Sequence, residues 1–429
     1  MQETEATTDL NSLDQPPATV SESLPLAASH EGQLIAAPAI SSVSESSIDR
    51  KAERQLLTGR ASRDLPAVSL SPVQLTWREL RKNRLAVGGG IILILLYMMA
   101  IFAPFLAPYD PTSQSPGQAN LTYHPPMKLR FVDRNGAFSL RPFVYQTQQS
   151  FSADRDIIYL PEAEQPRPLK FFVRGWDYKL FGLFPTNVHL FGVDNGYVYA
   201  LGTDQEGRDV LSRLFIGSQI SLSVGLIAIA ISFTIGLLVG GISGFYGGVI
   251  DDAIQRVCEV LMSVPDFYLL LALAAALPVD WDPVKVYVLI IVILSFVGWA
   301  GMARVVRGLV LSVREREYVE AGRALGVGDF RLILRHILPS TFTYAIVAAT
   351  MSVPGYILGE AGLSFLGLGI RDPMPSWGNM LSAAQSLTVL EKYEWILAPG
   401  VLIFITTLAF NFLGDGLRDA LDPKSRKLG

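Results

Sequence analysis

Six apolar stretches alternate with polar segments along this 429-residue chain. They cover residues 85–108, 218–245, 260–278, 284–303, 341–362 and 395–412. About 20 apolar residues at 1.5 Å per residue cross a hydrocarbon core of about 30 Å. The pattern therefore predicts an all-α integral membrane protein with six transmembrane helices. Gly236, Gly240 and Gly244 recur every fourth residue in the second stretch, a spacing that lets helices approach closely in lipid. Ionisable groups are few. Asp266 follows Pro265 near the start of the third stretch, and Glu360 falls near the end of the fifth. Both carboxylates are expected near span ends, where snorkelling or capping accounts for them.

The polar segments divide the chain further. Residues 1–70 are rich in Ser, Thr, Ala, Glu and Pro without apolar periodicity, which predicts a disordered cytoplasmic tail and no secretory signal. Residues 71–108 carry a basic start (Arg78, Arg81, Lys82 and Arg84) and the first span. Residues 109–202 are too long for a connection and predict a small β-rich extracytoplasmic insertion. Strands are expected at 170–173 and 197–199, and the insertion either caps the core or meets an outside partner. Thr203 or Asp204 is placed to cap a helix lying on the membrane surface, with Arg208, Asp209 and Arg213 on its polar side. Residues 203–429 hold the other five spans and a loop at 304–340.

Composition agrees with a membrane protein. Half of the residues are hydrophobic, 17% are charged and the mean hydropathy is +0.34, against about 25% charged in soluble domains. Charge distribution orients the chain. Residues 304–340 hold seven arginines, whereas 363–394 hold only Arg371 and Lys392. The positive-inside bias puts 304–340 and both termini in the cytoplasm.

Chemistry is sparse. One cysteine, Cys258, excludes an intrachain disulfide, and the four histidines have no metal-ligand spacing. No Gly-Lys pair exists, so no GxxxxGK[ST] phosphate loop is present. No GxSxG or HExxH occurs either. No catalytic residue, metal, cofactor or nucleic-acid partner is expected.

Residues 320–339 read EAGRALGVGDFRLILRHILP. Tyr318, Ala321, Gly322 and Leu325 fall at i, i+3, i+4 and i+7 and predict one helix face, kept shallow by the small residues. Gly326 and Gly328 permit a sharp turn, and Asp329 is placed to cap a second helix. Phe330, Ile333, Leu334 and Ile337 repeat the helical spacing, and Pro339 is expected to end that helix and open the next span. Glu320 is free to pair with a basic group on a partner. A helix–turn–helix exceeds what topology requires, which points to docking.

This stretch resembles the EAA loop of permease subunits of binding-protein-dependent ABC transporters. The family pattern is EAA, three residues, Gly, nine residues, Ile, one residue, Leu-Pro. Here Gly322 replaces the second Ala, and His336 stands at the Ile position. Residues 201–222 (LGTDQEGRDVLSRLFIGSQISL) and 359–381 (GEAGLSFLGLGIRDPMPSWGNML) resemble the oligopeptide/dipeptide branch. The likeness covers residues 75–429 apart from the insertion at 112–200.

The resemblance implies a half-channel in the bacterial inner membrane. Its implied partners are a second homologous permease, two ATP-binding subunits and an extracytoplasmic solute-binding protein, with ATP hydrolysis on the partners. It implies ATPase coupling through Glu320, Ala321, Gly322, Arg323, Leu325, Gly326 and Pro339. Glu360 is the one candidate for the pathway. Peptides are the leading cargo, with nickel chelates, glutathione and oligosaccharides as alternatives served by relatives. A secondary carrier would need more ionisable groups in its spans. A membrane-anchored scaffold or receptor would not need six.

Overall fold

The computed structural model describes residues 72–421 apart from 114–120, 135, 153–156, 162–165, 195 and 279. The expectation for residues 1–70 lies outside the described residues. Helix α1 (Pro72–Leu80) packs on the C-terminal helix, and α2 (Arg84–Ile101) is the first long apolar helix. Asn83 caps α2 by accepting from the Leu85 and Ala86 amides at 3.1 Å each. A short helix, α3 (Ala103–Leu106), follows.

Strands occupy much of the polar segment. Strands β1 (Arg130–Val132), β2 (Phe138–Val144) and β5 (Arg167–Pro168) form a three-stranded antiparallel sheet in the order β1-β2-β5. Strands β3 (Thr147–Phe151) and β4 (Ile157–Pro161) pair, as do β6 (Lys170–Leu180) and β7 (Phe184–Gly192). Residues 197–199, expected as a strand, are buried but pair with no strand among the described residues. Side chains satisfy much of their backbone instead. Gln146 bonds both the N–H and the C=O of Tyr197, and the Tyr109 hydroxyl accepts from Val198 N at 2.8 Å. Buried His189 contacts Pro104 O and Trp176 O at 3.0 Å each, which fastens β6 and β7 to α3.

The remaining chain is helical: α4 (Val210–Tyr246), α5 (Gly248–Met262), α6 (Asp266–Ala275), α7 (Pro283–Val313), α8 (Glu317–Ala324), α9 (Asp329–Leu332), α10 (Leu338–Phe365), α11 (Trp377–Met380), α12 (Leu387–Lys392) and α13 (Ala398–Leu421). Among the described residues five helices are long and apolar enough to cross a membrane, or six if α5 and α6 count as one bent span.

Four expectations about these helices are corrected. The helix predicted to lie on the membrane surface is the first part of α4, a single 37-residue helix. Its cap is Asp209, not Thr203 or Asp204, and no breaker separates residue 214 from the apolar run. The stretch expected as the third span is two helices bent by 77°, because Pro265 cannot donate to the ladder where α6 begins. Helix α7 runs ten residues past 303, so Arg304 and Arg307 belong to it and the loop begins at Arg314. Pro339 does not end a helix. The chain stays helical from Asp329 through Phe365 across one wide turn, Ile333–Ile337. There the Leu338 amide reaches back to Ile333 O, five residues away, which makes room for the proline ring.

Helices α4, α7 and α10 form the centre. The glycine stripe of α4 lies directly on α7. A Cβ at Gly236 would stand 2.7 Å from Met302 Cβ, and one at Gly240 would collide with the Ala303 carbonyl. Helix α10 runs antiparallel to α4, with Leu338 beside Gly241 at one end and Ile357 beside Gly225 towards the other. The two ends of this pair carry the features of interest.

Candidate functional site

At the Gly241–Leu338 end stands the helix–turn–helix. The sequence spacing grouped Gly322 with Tyr318, Ala321 and Leu325; the fold separates them. Val319 and Gly322 face inward, and a Cβ on Gly322 would lie 2.7 Å from Leu332 Cδ2. The bare α-carbon therefore seats α8 against α9 of the same chain. Tyr318, Ala321 and Leu325 face outward, with Leu325 84% exposed. Phe330, 66% exposed, and Leu334 extend this apolar surface, while Ile333 and Ile337 are buried. The second apolar repeat is thus split between inside and outside.

The turn follows from its hydrogen bonds. Val327 N donates to Gly322 O at 3.1 Å, and Gly326 N donates to Arg323 O at 2.9 Å. This double closure needs a left-handed residue, and Gly326 supplies it at φ 76°. Gly328 has an ordinary φ of −63°, so the turn does not require it. Asp329 lies inside α9 and caps nothing; Gly328 is the capping residue and offers no side chain. Glu320 is exposed. The Arg323 guanidinium stacks over the Phe245 ring at 4.9 Å, and Arg314 donates to Gly244 O at 3.2 Å. Both arginines pin the element to the end of α4. Pro339 is exposed at the base of α10.

At the other end the two remaining motif stretches interlock. Arg208 donates to Asp204 at 2.7 Å, to Asp372 at 2.9 Å and to Glu206 at 2.5 Å. Arg213 donates to Asp372 at 2.8 Å and to Pro111 O at 3.0 Å. Both guanidinium groups were expected on a solvated helix face; both are buried, Arg213 at 2% exposure. Burial acts against the charge of Asp372, but Arg213 and Arg208 outweigh it and hold its carboxyl below the usual carboxylate range. Asp209 accepts from the Ser212 amide at 2.8 Å and hydroxyl at 2.6 Å, and its other oxygen finds no hydrogen-bond partner among the described residues. Burial pushes the Asp209 carboxyl up to about 7.

Glu360 lies just inside this knot. It is fully buried rather than snorkelling at a span end. Ser221 donates to it at 3.0 Å and Ser364 at 2.7 Å. Ser221 also accepts from Trp377 N, and the Trp377 ring donates to Leu214 O at 3.1 Å. Ser376 and Asn379 cap α11 reciprocally. Residues 201–222 and 359–381 are thus one structural unit. Their clustered charges were the available signal, but no local pattern pairs Arg208 and Arg213 with Asp372, some 160 residues away.

The sequence of a known family fits this chain. The family described as binding-protein-dependent transport system inner membrane component matches residues 213–427. The chain belongs to that family. The N-terminal transmembrane domain of oligopeptide transport permease C matches residues 71–126, so the permease likeness spans both sides of the stranded segment. The dipeptide transport system permease protein DppC of Bacillus subtilis is 36% identical over 84% of this chain and 88% of its own length. The oligopeptide permease OppC of the same organism is 34% identical over 81% and 88%. The glutathione transport system permease GsiD of Pectobacterium atrosepticum is 31% identical over 84% and 95%. A solved inward-facing MetNI methionine ABC transporter chain is 19% identical at TM-score 0.39, over 49% of this chain and 96% of that one. Family and apolar helices together make this a multi-pass inner-membrane permease component, which sets aside the anchored scaffold or receptor.

Proposed function

We propose that this permease forms one half of the translocation pore of an ATP-driven importer for dipeptides or oligopeptides. It crosses the membrane six times, with α5 and α6 as one bent span. The stranded segment at 109–202 faces outside, and both termini face the cytoplasm. A second, homologous permease completes the pore. Two ATP-binding subunits supply the energy, and an extracytoplasmic binding protein delivers cargo. The chain itself is not an enzyme, in keeping with the missing phosphate loop.

The observation that carries this reading is the exposed apolar ridge of Tyr318, Leu325 and Phe330 on a helix–turn–helix anchored to the ends of α4 and α10. A ridge of that kind, at the arginine-rich end of the protein, suits a soluble partner's groove. Glu320, Ala321, Leu325 and Gly326 make or shape the contact. Gly322, Arg323 and Pro339 hold the element in place. ATP-driven movement of the partner is passed to α4 and α10, which must be contacted differently in the two states. The peptide assignment is supported by the permease relatives, whose alignments cover over four-fifths of this chain. Glutathione, itself a small peptide, is the second reading, favoured by the relative that matches over 95% of its own length. Reconstitution of the four subunits with the binding protein tests it. ATP-dependent uptake of a dipeptide or oligopeptide is expected, and uptake of a non-peptide alone refutes the assignment.

A further inference from the structure

Asp266 heads α6 directly after the break in the bent span, and its side chain is exposed. It lines a cavity of about 340 Å³ together with Leu294, Gly298, Met351, Gly355 and Tyr356. Gly298 lies midway along α7, and Met351 lies midway along α10. The cavity is therefore at mid-depth of two spans, and so is Asp266, not at a span end as its position in the apolar run suggests. No salt bridge engages its carboxylate among the described residues, and it is the only charged group in the cavity lining.

Two costs then need an explanation. A carboxylate facing lipid at mid-depth costs about 2.5–3.5 kcal/mol or more. Non-helical backbone at membrane depth is tolerated only where it lines water or is buried in protein. The break at 263–265 and the exposed Asp266 satisfy both conditions if that face is wet. We infer that the break and its cavity line the aqueous pathway, and that Asp266 receives the cationic amino group of the cargo there. This rests on the peptide-importer reading and names a specificity group for it. Apart from Ser352 and the Tyr356 hydroxyl the lining is apolar, and at Gly301 and Gly355 an added Cβ would meet no atom within 4 Å, which leaves room for varied side chains, so the charge discriminates while the walls do not.

The test uses the complete complex with Cys258→Ser and a reporter thiol at Gly355→Cys, where an added Cβ meets no atom within 4 Å. Labelling rates are compared for a cationic and an anionic membrane-impermeant thiosulfonate, normalised to a free thiol, with and without ATP and vanadate. The normalised cationic preference is expected to exceed fivefold, to vanish in Asp266→Asn and to persist in Asp266→Glu. Absence of labelling in both nucleotide states, or a preference unchanged by Asp266→Asn, overturns the inference. ATP-driven uptake of alanyl-alanine should fall at least fivefold in Asp266→Asn and recover in Asp266→Glu; unchanged uptake also overturns it. If the unmodified complex moves no peptide, the peptide assignment fails, while the labelling ratio still decides whether Asp266 faces a wet pathway.

Discussion

Ser221 joins α4 to α10 by donating its hydroxyl to Glu360 at 3.0 Å while accepting from the Trp377 amide at the same distance. One side chain thereby serves a carboxylate, a helix start and two spans. Leaving Ser221 and Ser364 without their acceptor costs about 1–3 kcal/mol for each buried donor. Glu360→Leu should therefore lower the melting temperature of the purified permease by several degrees. Glu360→Gln, which keeps one acceptor oxygen, should lose less. Equal stability of wild type and Glu360→Leu would show that the serine hydroxyls find other acceptors.

The contact of Gly322 with Leu332 makes a graded prediction. Alanine there needs only the tip of a flexible leucine to move, because the close atom is Leu332 Cδ2. Gly322→Ala should cost less than about 1 kcal/mol, close to the helix-propensity gain it brings. Gly322→Leu has no such escape and should separate α8 from α9. Limited proteolysis between residues 317 and 337 reads the separation. Protection of Gly322→Leu equal to wild type would sink this account of the element.

The outward ridge gives the opposite signature. Leu325 and Phe330 touch little of their own chain, so Leu325→Asp and Phe330→Asp should change stability by no more than about 0.5 kcal/mol. As central apolar anchors of an interface, each should weaken association with the ATP-binding subunit by about 2 kcal/mol, roughly 30-fold in Kd. The check is co-purification and titration of the subunit against the permease in detergent. Full affinity in both variants would remove the docking role from this ridge.

Much of this architecture was legible from the sequence, for identifiable reasons. Long apolar runs announce spans because lipid imposes length and polarity together, and the stripe at Gly236, Gly240 and Gly244 announced close packing that α7 supplies. Short amphipathic pieces were less legible. An eight-residue helix has too few turns for spacing to tell the buried face from the docking face, so the spacing groups Tyr318 with Gly322 and gives no sign that Val319 faces inward. The ion pairs of Arg208 and Arg213 with Asp372 depend on tertiary closure, which no local window contains. Asp266 stands near the start of its apolar run because α5, which precedes the break, is amphipathic and interrupts the apolar pattern there.

Asp209 predicts a pH dependence with a definite sign. Burial raises its carboxyl to about 7 in the folded protein, while an unfolded chain returns it to about 3.9. Between those values the folded state binds the extra proton, so stability falls as pH rises from about 4 to about 7 and is level on either side. Asp372 acts in the opposite sense: its lowered carboxyl adds stability that is lost as pH falls through its folded value. Asp209→Asn removes the first contribution alone. It keeps an acceptor for the Ser212 amide and hydroxyl and offers an N–H₂ where one oxygen now lacks a partner. Melting temperatures across pH 5–8 should decline with rising pH more steeply in wild type than in Asp209→Asn, and the variant should be the more stable at pH 8. A parallel pair of curves would mean that Asp209 stays ionised in the folded permease.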